Sequence, residues 1–232
     1  MKRKNGKIRS YAIVVLTVIL VCGIVALGII TLIRPLLGTS DKRRADRYNG
    51  EITRYTSGAD KDGDGIDDQT DILNSALEYV ETKPKYKSKY YAGGYPDDGY
   101  GVCTDVVAYG LLGAGYDLKE LVSEHIKAHR ELYDIDVVDS NIDYRRVKNL
   151  RVFFENTAES LTTDVHDIEA WQGGDIVVFK SHIGIVSDRR NKKGVTYVIH
   201  HGDPRQLYYE QDILEKREED IVGHFRMTGT DK

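Results

Sequence analysis

The chain has 232 residues, 41% of them hydrophobic and 30% charged, which is the balance of a folded protein with room for one ordinary domain and an appendage. Its formal net charge is −4, and setting aside the six basic residues of positions 1–34 leaves −10 for the remainder, so nucleic acid is not an expected partner. Cys22 sits in an apolar run and Cys103 stands alone in the rest, which excludes an intrachain disulfide framework there.

Residues 1–10 contain Lys2, Arg3, Lys4, Lys7 and Arg9 and no acid. From Tyr11 to Ile33 the 23 residues are apolar apart from Thr17, Cys22, Gly23, Gly28 and Thr31, long enough to cross a bilayer as a helix. The run exceeds a signal-peptide core and no small-x-small cleavage pattern follows it, so 11–33 is expected to be an uncleaved single-pass anchor. Beyond it Arg34, Lys42, Arg43, Arg44 and Arg47 are diluted by Asp41 and Asp46. The charge difference places residues 1–10 in the cytoplasm and the C-terminal domain outside the membrane, extracellular or periplasmic.

Residues 34–58 are polar, have little apolar periodicity, and read as a stalk. Next comes DKDGDGIDDQTD at 60–71. Asp60, Asp62 and Asp64 fall at loop positions one, three and five, Gly65 at six, Ile66 at seven with its backbone carbonyl, Asp68 at nine and Asp71 at twelve. A hard cation needs several oxygens and a sharp glycine turn, so 59–71 is expected to hold a structural Ca2+, with no metal required for catalysis. No helix precedes the loop and position twelve is Asp rather than a bidentate Glu, so it resembles short DxDxDG loops more than a full EF-hand pair. The rival reading is a solvated acidic linker.

The domain proper is assigned to 72–232. ILNSALEYVETK carries Ile72, Leu73, Ala76, Leu77 and Val80 at helical spacing. A loop rich in glycine and aspartate, YYAGGYPDDGYG, gives way to an apolar helix expected from Cys103 to Gly113 or Gly115. YDLKELVSEHIKAHRELY keeps Leu118, Leu121, Val122, Ile126 and His129 in helical register, and NIDYRRVKNLRVFFENT reads as a turn into a short helix. Then the period changes: GDIVVF, HIGIVSD, VTYVIHH and VGHFRM are short and rich in Val and Ile. Helices first and strands later predict an α+β domain with an antiparallel sheet.

A cysteine at a helix N-terminus meets unpaired N–H groups and the positive end of the helix dipole, which favours thiolate. As a nucleophile it needs a base and a group to orient that base. His125, His129 and His166 lie in polar, surface-like sequence, and His224 reads as a strand residue. His182 opens one strand and His200 closes the next, so a hairpin around RRNKKG brings their ends together; spacing leaves open whether they act as a pair.

YYAGGYPDDGYGVCTDVV resembles the block around the nucleophile of NlpC-type papain-like cell-wall cysteine peptidases, and WQGGDIVVFKSHIGIVSDRRNKKGVTYVIHH resembles their histidine block. Together with NIDYRRVKNLRVFF, the chain over about 72–228 more closely resembles the bacterial domain-of-unknown-function family 1287. The resemblance implies a papain-like fold with N-terminal helices packed on an antiparallel sheet, and a hydrolase (peptidase or amidase) acting on peptidoglycan or another peptide. It implies Cys103 as nucleophile, His182 as base, His200 as the residue that orients it, and Tyr90 beside the thiol as an oxyanion donor with the Cys103 N–H.

His201 is the rival of His200, since alternation puts only one on the active face. Asp105, two residues after the thiol, departs from the family pattern and would oppose thiolate formation unless it points away or caps the helix. Arg145 and Arg146 are expected to be an exposed charge pair, with a clamp on a substrate carboxylate as the other reading. Trp171 and Asp175 are expected to order the loop into the first strand. The alternatives are a non-catalytic, calcium-stabilised cell-wall scaffold and an acyltransferase of the same fold.

Overall fold

The computed structural model describes residues 2–34 and 38–229, without the side chains of 2–10 and 12. The basic side chains ahead of the anchor, stalk residues 35–37 and domain residues 230–232 therefore lie outside the described residues. The chain divides into two units, Met1–Gly38 and Thr39–Lys232.

The first unit is α1 (Lys2–Ile33), longer at its N-terminal end than the apolar run alone suggests. Its stretch Ile13–Ile33 is long and apolar enough to cross a membrane, and its large apolar side chains are exposed along their whole length. A helix satisfies its own backbone hydrogen bonds, the condition for standing in hydrocarbon.

The second unit is α+β. Its helices are α2 (Asp68–Glu81), α3 (Cys103–Gly113), α4 (Leu118–Ala128) and α5 (Val147–Thr157). Between α2 and α3, β1 (Lys85–Tyr86) pairs in parallel with β2 (Tyr100–Gly101). The main sheet comprises β3 (Glu159–Ser160), β4 (Ile176–Phe179), β5 (His182–Arg190), β6 (Thr196–Ile199), β7 (Glu210–Gln211) and β8 (Ile221–Arg226). Its order is β3-β8-β4-β5-β6-β7, antiparallel throughout.

Helix α2 starts at Asp68, four residues before the apolar pattern, because Asp67 caps it by accepting from the Thr70 N–H. Ile72, Leu73, Ala76 and Val80 then bury against α3. Gly110 permits that contact: a Cβ there would lie 3.1 Å from the Ile72 carbonyl oxygen and 3.2 Å from the Ala76 Cβ. Two apolar clusters sandwich the sheet. Ile176, Val178, Ile183, Ile185 and Ile199 pack under the helices, whereas Val177, Phe179, Val186 and Val198 face Val165, Trp171 and Leu214. The alternation follows from the two-residue period of a strand.

The expected stalk is corrected from residue 39 onward. Ser40 bridges Tyr208, and the Arg43 guanidinium bonds Glu210 at 2.8 Å, Ser187 at 3.1 Å and Asp188. The Arg47 N–H donates to the Arg190 carbonyl at 2.9 Å and the Tyr55 N–H to the Gln172 side chain at 3.1 Å. This strap is polar because it meets the polar margin of the sheet rather than open solvent.

Candidate active site

Cys103 occupies the first turn of α3, after the β1–β2 ladder has turned the chain into the helix. The carboxylate of Asp105 accepts from the Val102 N–H at 2.8 Å, capping that turn. It also receives Arg145 in a bidentate pair, Nε to Oδ1 at 2.7 Å and Nη2 to Oδ2 at 2.8 Å, with both side chains buried. Arg145 Nη1 donates further to the Lys89 carbonyl at 2.6 Å. Arg145 is thus neither an exposed charge nor a substrate clamp, whereas Arg146 is partly exposed, 3.4 Å from Asp143. Asp105 both caps the turn and is paired with Arg145, and its charge still adds to the raising of the thiol after burial.

The thiol packs at the margin of the helix-side core. Burial pushes it up to about 11, against the lowering effect of the backbone N–H groups of Ile183, Thr104 and Cys103 itself. Ile183 directly follows His182, so the thiol lies at the mouth of β5.

His182 Nε2 and His200 Nδ1 are 2.9 Å apart, with the rings nearly perpendicular, and His200 Nε2 lies 3.1 Å from Gln211 Oε1. With the Gln211 carbonyl oxygen accepting, His200 carries its proton on Nε2, its Nδ1 accepts from His182 Nε2–H, and the lone pair of His182 is left on Nδ1. Gly202 lies beneath this ring: a Cβ there would be 2.9 Å from His182 Cε1. Burial lowers His182 to about 4, with Arg217 and His201 adding to it, and burial and His182 lower His200 to about 3. At neutral pH this arrangement is a neutral imidazole pair beside a neutral thiol.

Among the described residues no hydrogen bond joins Cys103 to a histidine. Strand alternation explains the separation. Ile183, Ile185 and Ile199 point to the helices, while His182 lies near Phe179 of the opposite cluster and His200 turns to that face. His201 returns to the helix side, edge-on to Tyr86 at 5.3 Å and Tyr209 at 5.0 Å, with both ring nitrogens buried and unpartnered. His200 rather than His201 therefore partners His182.

Tyr90 is corrected. It is 58% exposed and its hydroxyl bonds Asp139 at 3.0 Å and Asn141 at 3.3 Å. The tyrosine whose hydroxyl is coupled to Cys103 is Tyr86, raised by burial, then by the thiol and Asp203. Tyr86 is held by its pairing with Gly101, two residues before Cys103.

In the acidic loop Asp60, Asp62 and Asp64 bring one carboxylate oxygen each within 4.8 Å of one another. Asp60 accepts from the N–H groups of Gly63 at 2.8 Å and Gly65 at 3.0 Å, both glycines having positive φ. Asp68 is not with them: it accepts from the Lys61 N–H at 2.7 Å and from the Tyr116 hydroxyl. Ile66 donates its N–H to Asp64 at 2.8 Å. Asp71 is 7% exposed, its Oδ2 has no partner, and burial followed by Asp64, Asp62, Asp67 and Asp60 pushes it up to about 6.

The remaining candidates are structural. Asp175 accepts from Arg226 at 2.7 and 2.8 Å, Gln172 at 2.8 Å and Gln69 at 2.8 Å, and His224 Nε2 lies 3.0 Å away. His224 stacks on Trp171 with centroids 3.8 Å apart, so Trp171 and Asp175 do order the entry to β4. His129 and His166 are exposed, but His125 is half-buried and lies 2.6 Å from the Tyr133 hydroxyl.

The family model described as Domain of unknown function (DUF1287) matches residues 73–227. The chain is 35% identical over 153 residues to the uncharacterized protein YijF of Escherichia coli (strain K12), an alignment covering 62% of this chain and 72% of that protein. No solved structure matches it significantly.

Proposed function

The chain belongs to the domain-of-unknown-function family DUF1287, and on that footing we propose that its second unit is a thiol hydrolase of papain-like, NlpC-type architecture that cleaves an amide or peptide bond. The observation that carries this reading is the chain Gln211–His200–His182, whose hydrogen bonds leave a basic nitrogen on His182 next to the residue that meets the Cys103 thiol. The contact with His200 would hold the His182 ring in one orientation, as a general base requires.

In this reading Cys103 Sγ attacks the substrate carbonyl as its proton passes to His182 Nδ1. The carbonyl oxygen becomes an oxyanion facing the Cys103 N–H and the Tyr86 hydroxyl. His182 then gives its proton to the departing amine, the C–N bond breaks, and a thioester remains. Water, losing a proton to the same nitrogen, displaces the thiol and restores the enzyme. In this reading the transfer requires the His182 ring, at the end of β5, to turn toward the thiol when substrate enters. The outward-facing orientation expected from the charged flanks puts this chemistry beside the cell wall, and peptidoglycan stem peptides are the proposed substrate.

One observation favours a second reading, a wall-binding scaffold without activity: the thiol is raised and, among the described residues, no hydrogen bond joins it to a histidine. The alkylation rate of Cys103 by iodoacetamide between about pH 4 and about pH 10 separates the two. The hydrolase predicts a rate at neutral pH above that of a free thiol and a fall of at least about tenfold in His182→Ala. A single rise near pH 8.5 or above, the same in the variant, is the scaffold's result.

A further inference from the structure

We propose that residues 60–71 form a site for one hard divalent cation, calcium in preference to magnesium, in which Asp60, Asp62 and Asp64 supply the loop carboxylates and Asp71 closes the site from the first turn of α2. The three loop carboxylates converge at the chain's surface. Convergence alone is common in acidic loops, and Asp71 supplies the independent observation. Asp71 is 7% exposed, its buried Oδ2 has no hydrogen-bond partner, and the neighbouring charges that act on it are those of Asp64, Asp62, Asp67 and Asp60. A solvated linker does not bury a carboxylate among carboxylates. Among the described residues no lysine or arginine forms an ion pair with Asp60, Asp62, Asp64 or Asp71, and the Lys61 ammonium lies over the Tyr116 ring instead. A bound cation is the group that would answer them.

The geometry departs from a regular twelve-residue loop at position nine. Asp68 is committed to the Lys61 N–H and the Tyr116 hydroxyl, so water fills that place in the coordination shell, as it often does in such loops. Calcium tolerates this mixture of carboxylates, the Ile66 carbonyl and water, whereas magnesium demands a tight octahedron. The consequence reaches the helix pair. Asp62 packs against Gly115, where a Cβ would lie 3.2 Å from the Asp62 Cβ, so the cation would tie the start of α2 to the turn that ends α3, the helix that begins at Cys103. The inference is independent of the proposed hydrolase activity.

The test is thermal unfolding and calorimetric titration of the full chain in detergent, freed of metal with a chelator, against CaCl2, MgCl2 and NaCl of matched ionic strength. Calcium at about a hundred times its dissociation constant is expected to raise the unfolding midpoint by roughly 5–10 °C. Magnesium should give a smaller rise and NaCl none. Asp62→Asn, at an exposed position, and Asp71→Asn, which preserves shape, should each weaken calcium binding by at least about tenfold. No midpoint change with calcium, or an equal change with NaCl, overturns the site. An equal response to magnesium overturns the calcium preference, and calcium binding intact in both variants places the cation elsewhere. Should Asp71→Asn not fold, Asp62→Asn alone decides the site.

Discussion

The two ends of the α2–α3 helix pair treat a buried aspartate in opposite ways. At the N-terminus of α3, Asp105 is answered on every side: a backbone N–H caps it and Arg145 meets it with two parallel hydrogen bonds. At the N-terminus of α2, Asp71 is 7% exposed against 0% for Asp105, its buried Oδ2 has no partner, and the charges that act on it are other carboxylates. A buried charge is tolerated when its partner is built in, and an unanswered one points to a partner that arrives from outside. The first end is finished by the chain itself, and it carries Cys103 in the first turn of α3. On the proposal above, the second end is completed by a cation.

Breaking the finished end gives the largest effect. Arg145→Met leaves Asp105 buried and unpaired and should cost about 3–5 kcal/mol in urea unfolding. Asp105→Asn should cost a comparable amount by stranding Arg145, and a loss much below 1 kcal/mol in both would mean that the pair is not the organiser described here. Cys103 alkylation should also change in the better-folded of the two variants.

Acidification tests the same end next. His182, His200 and His201 have folded values depressed by burial to about 4, about 3 and about 4, below the ordinary 6.5. The unfolded chain therefore binds protons that the folded chain refuses. Their contribution to stability is complete above about pH 6.5 and is lost as pH falls toward the folded values, at about 1.4 kcal/mol per pH unit for each histidine. Denaturant unfolding between about pH 6.5 and about pH 4 should show this slope, partly offset by Asp71, whose raised value of about 6 acts with the opposite sign, and it should flatten in His200→Gln.

At the unfinished end the sign reverses. In the presence of a chelator Asp71→Asn should stabilise by roughly 0.5–1 kcal/mol, because it removes a charge that only repels. The contrast with Asp105→Asn is the sharpest form of the comparison, and a destabilised Asp71→Asn in chelator would erase it. The smallest effect belongs to His201→Phe. Its two ring nitrogens have no partner to lose, so stability should move by less than about 1 kcal/mol in thermal unfolding. A large loss there would reveal a role that the ring contacts with Tyr86 and Tyr209 do not.

Some of these residues were legible in the sequence and some were not, for reasons that differ. Ile72, Ala76 and Val80 announced α2 by their spacing, yet its first turn was hidden in an acidic run and is explained by the Asp67 cap. Tyr90 lies at the expected distance from the glycines, but Tyr86 is the tyrosine that a two-residue parallel ladder seats beside Gly101, two residues before the thiol. No periodicity encodes a ladder that short. Arg145 looked exposed beside Arg146, and only Asp105, forty residues earlier, makes its burial affordable. Residues 39–58 read as a stalk because polarity does not distinguish a segment facing water from one bonded along a sheet margin.

By itself the sequence determined what depends on neighbours along the chain. That includes the membrane-length apolar helix, the helical and strand stretches, the thiol at a helix start and the converging loop carboxylates, since length, period and turn chemistry are local properties. Tertiary structure alone decided the partnerships: His200 rather than His201 with His182, Tyr86 rather than Tyr90 near Cys103, and Arg145 with Asp105. Adjacent strand residues face opposite sides of a sheet, so a choice between two neighbours depends on register and on what packs above it, which distant parts of the chain supply.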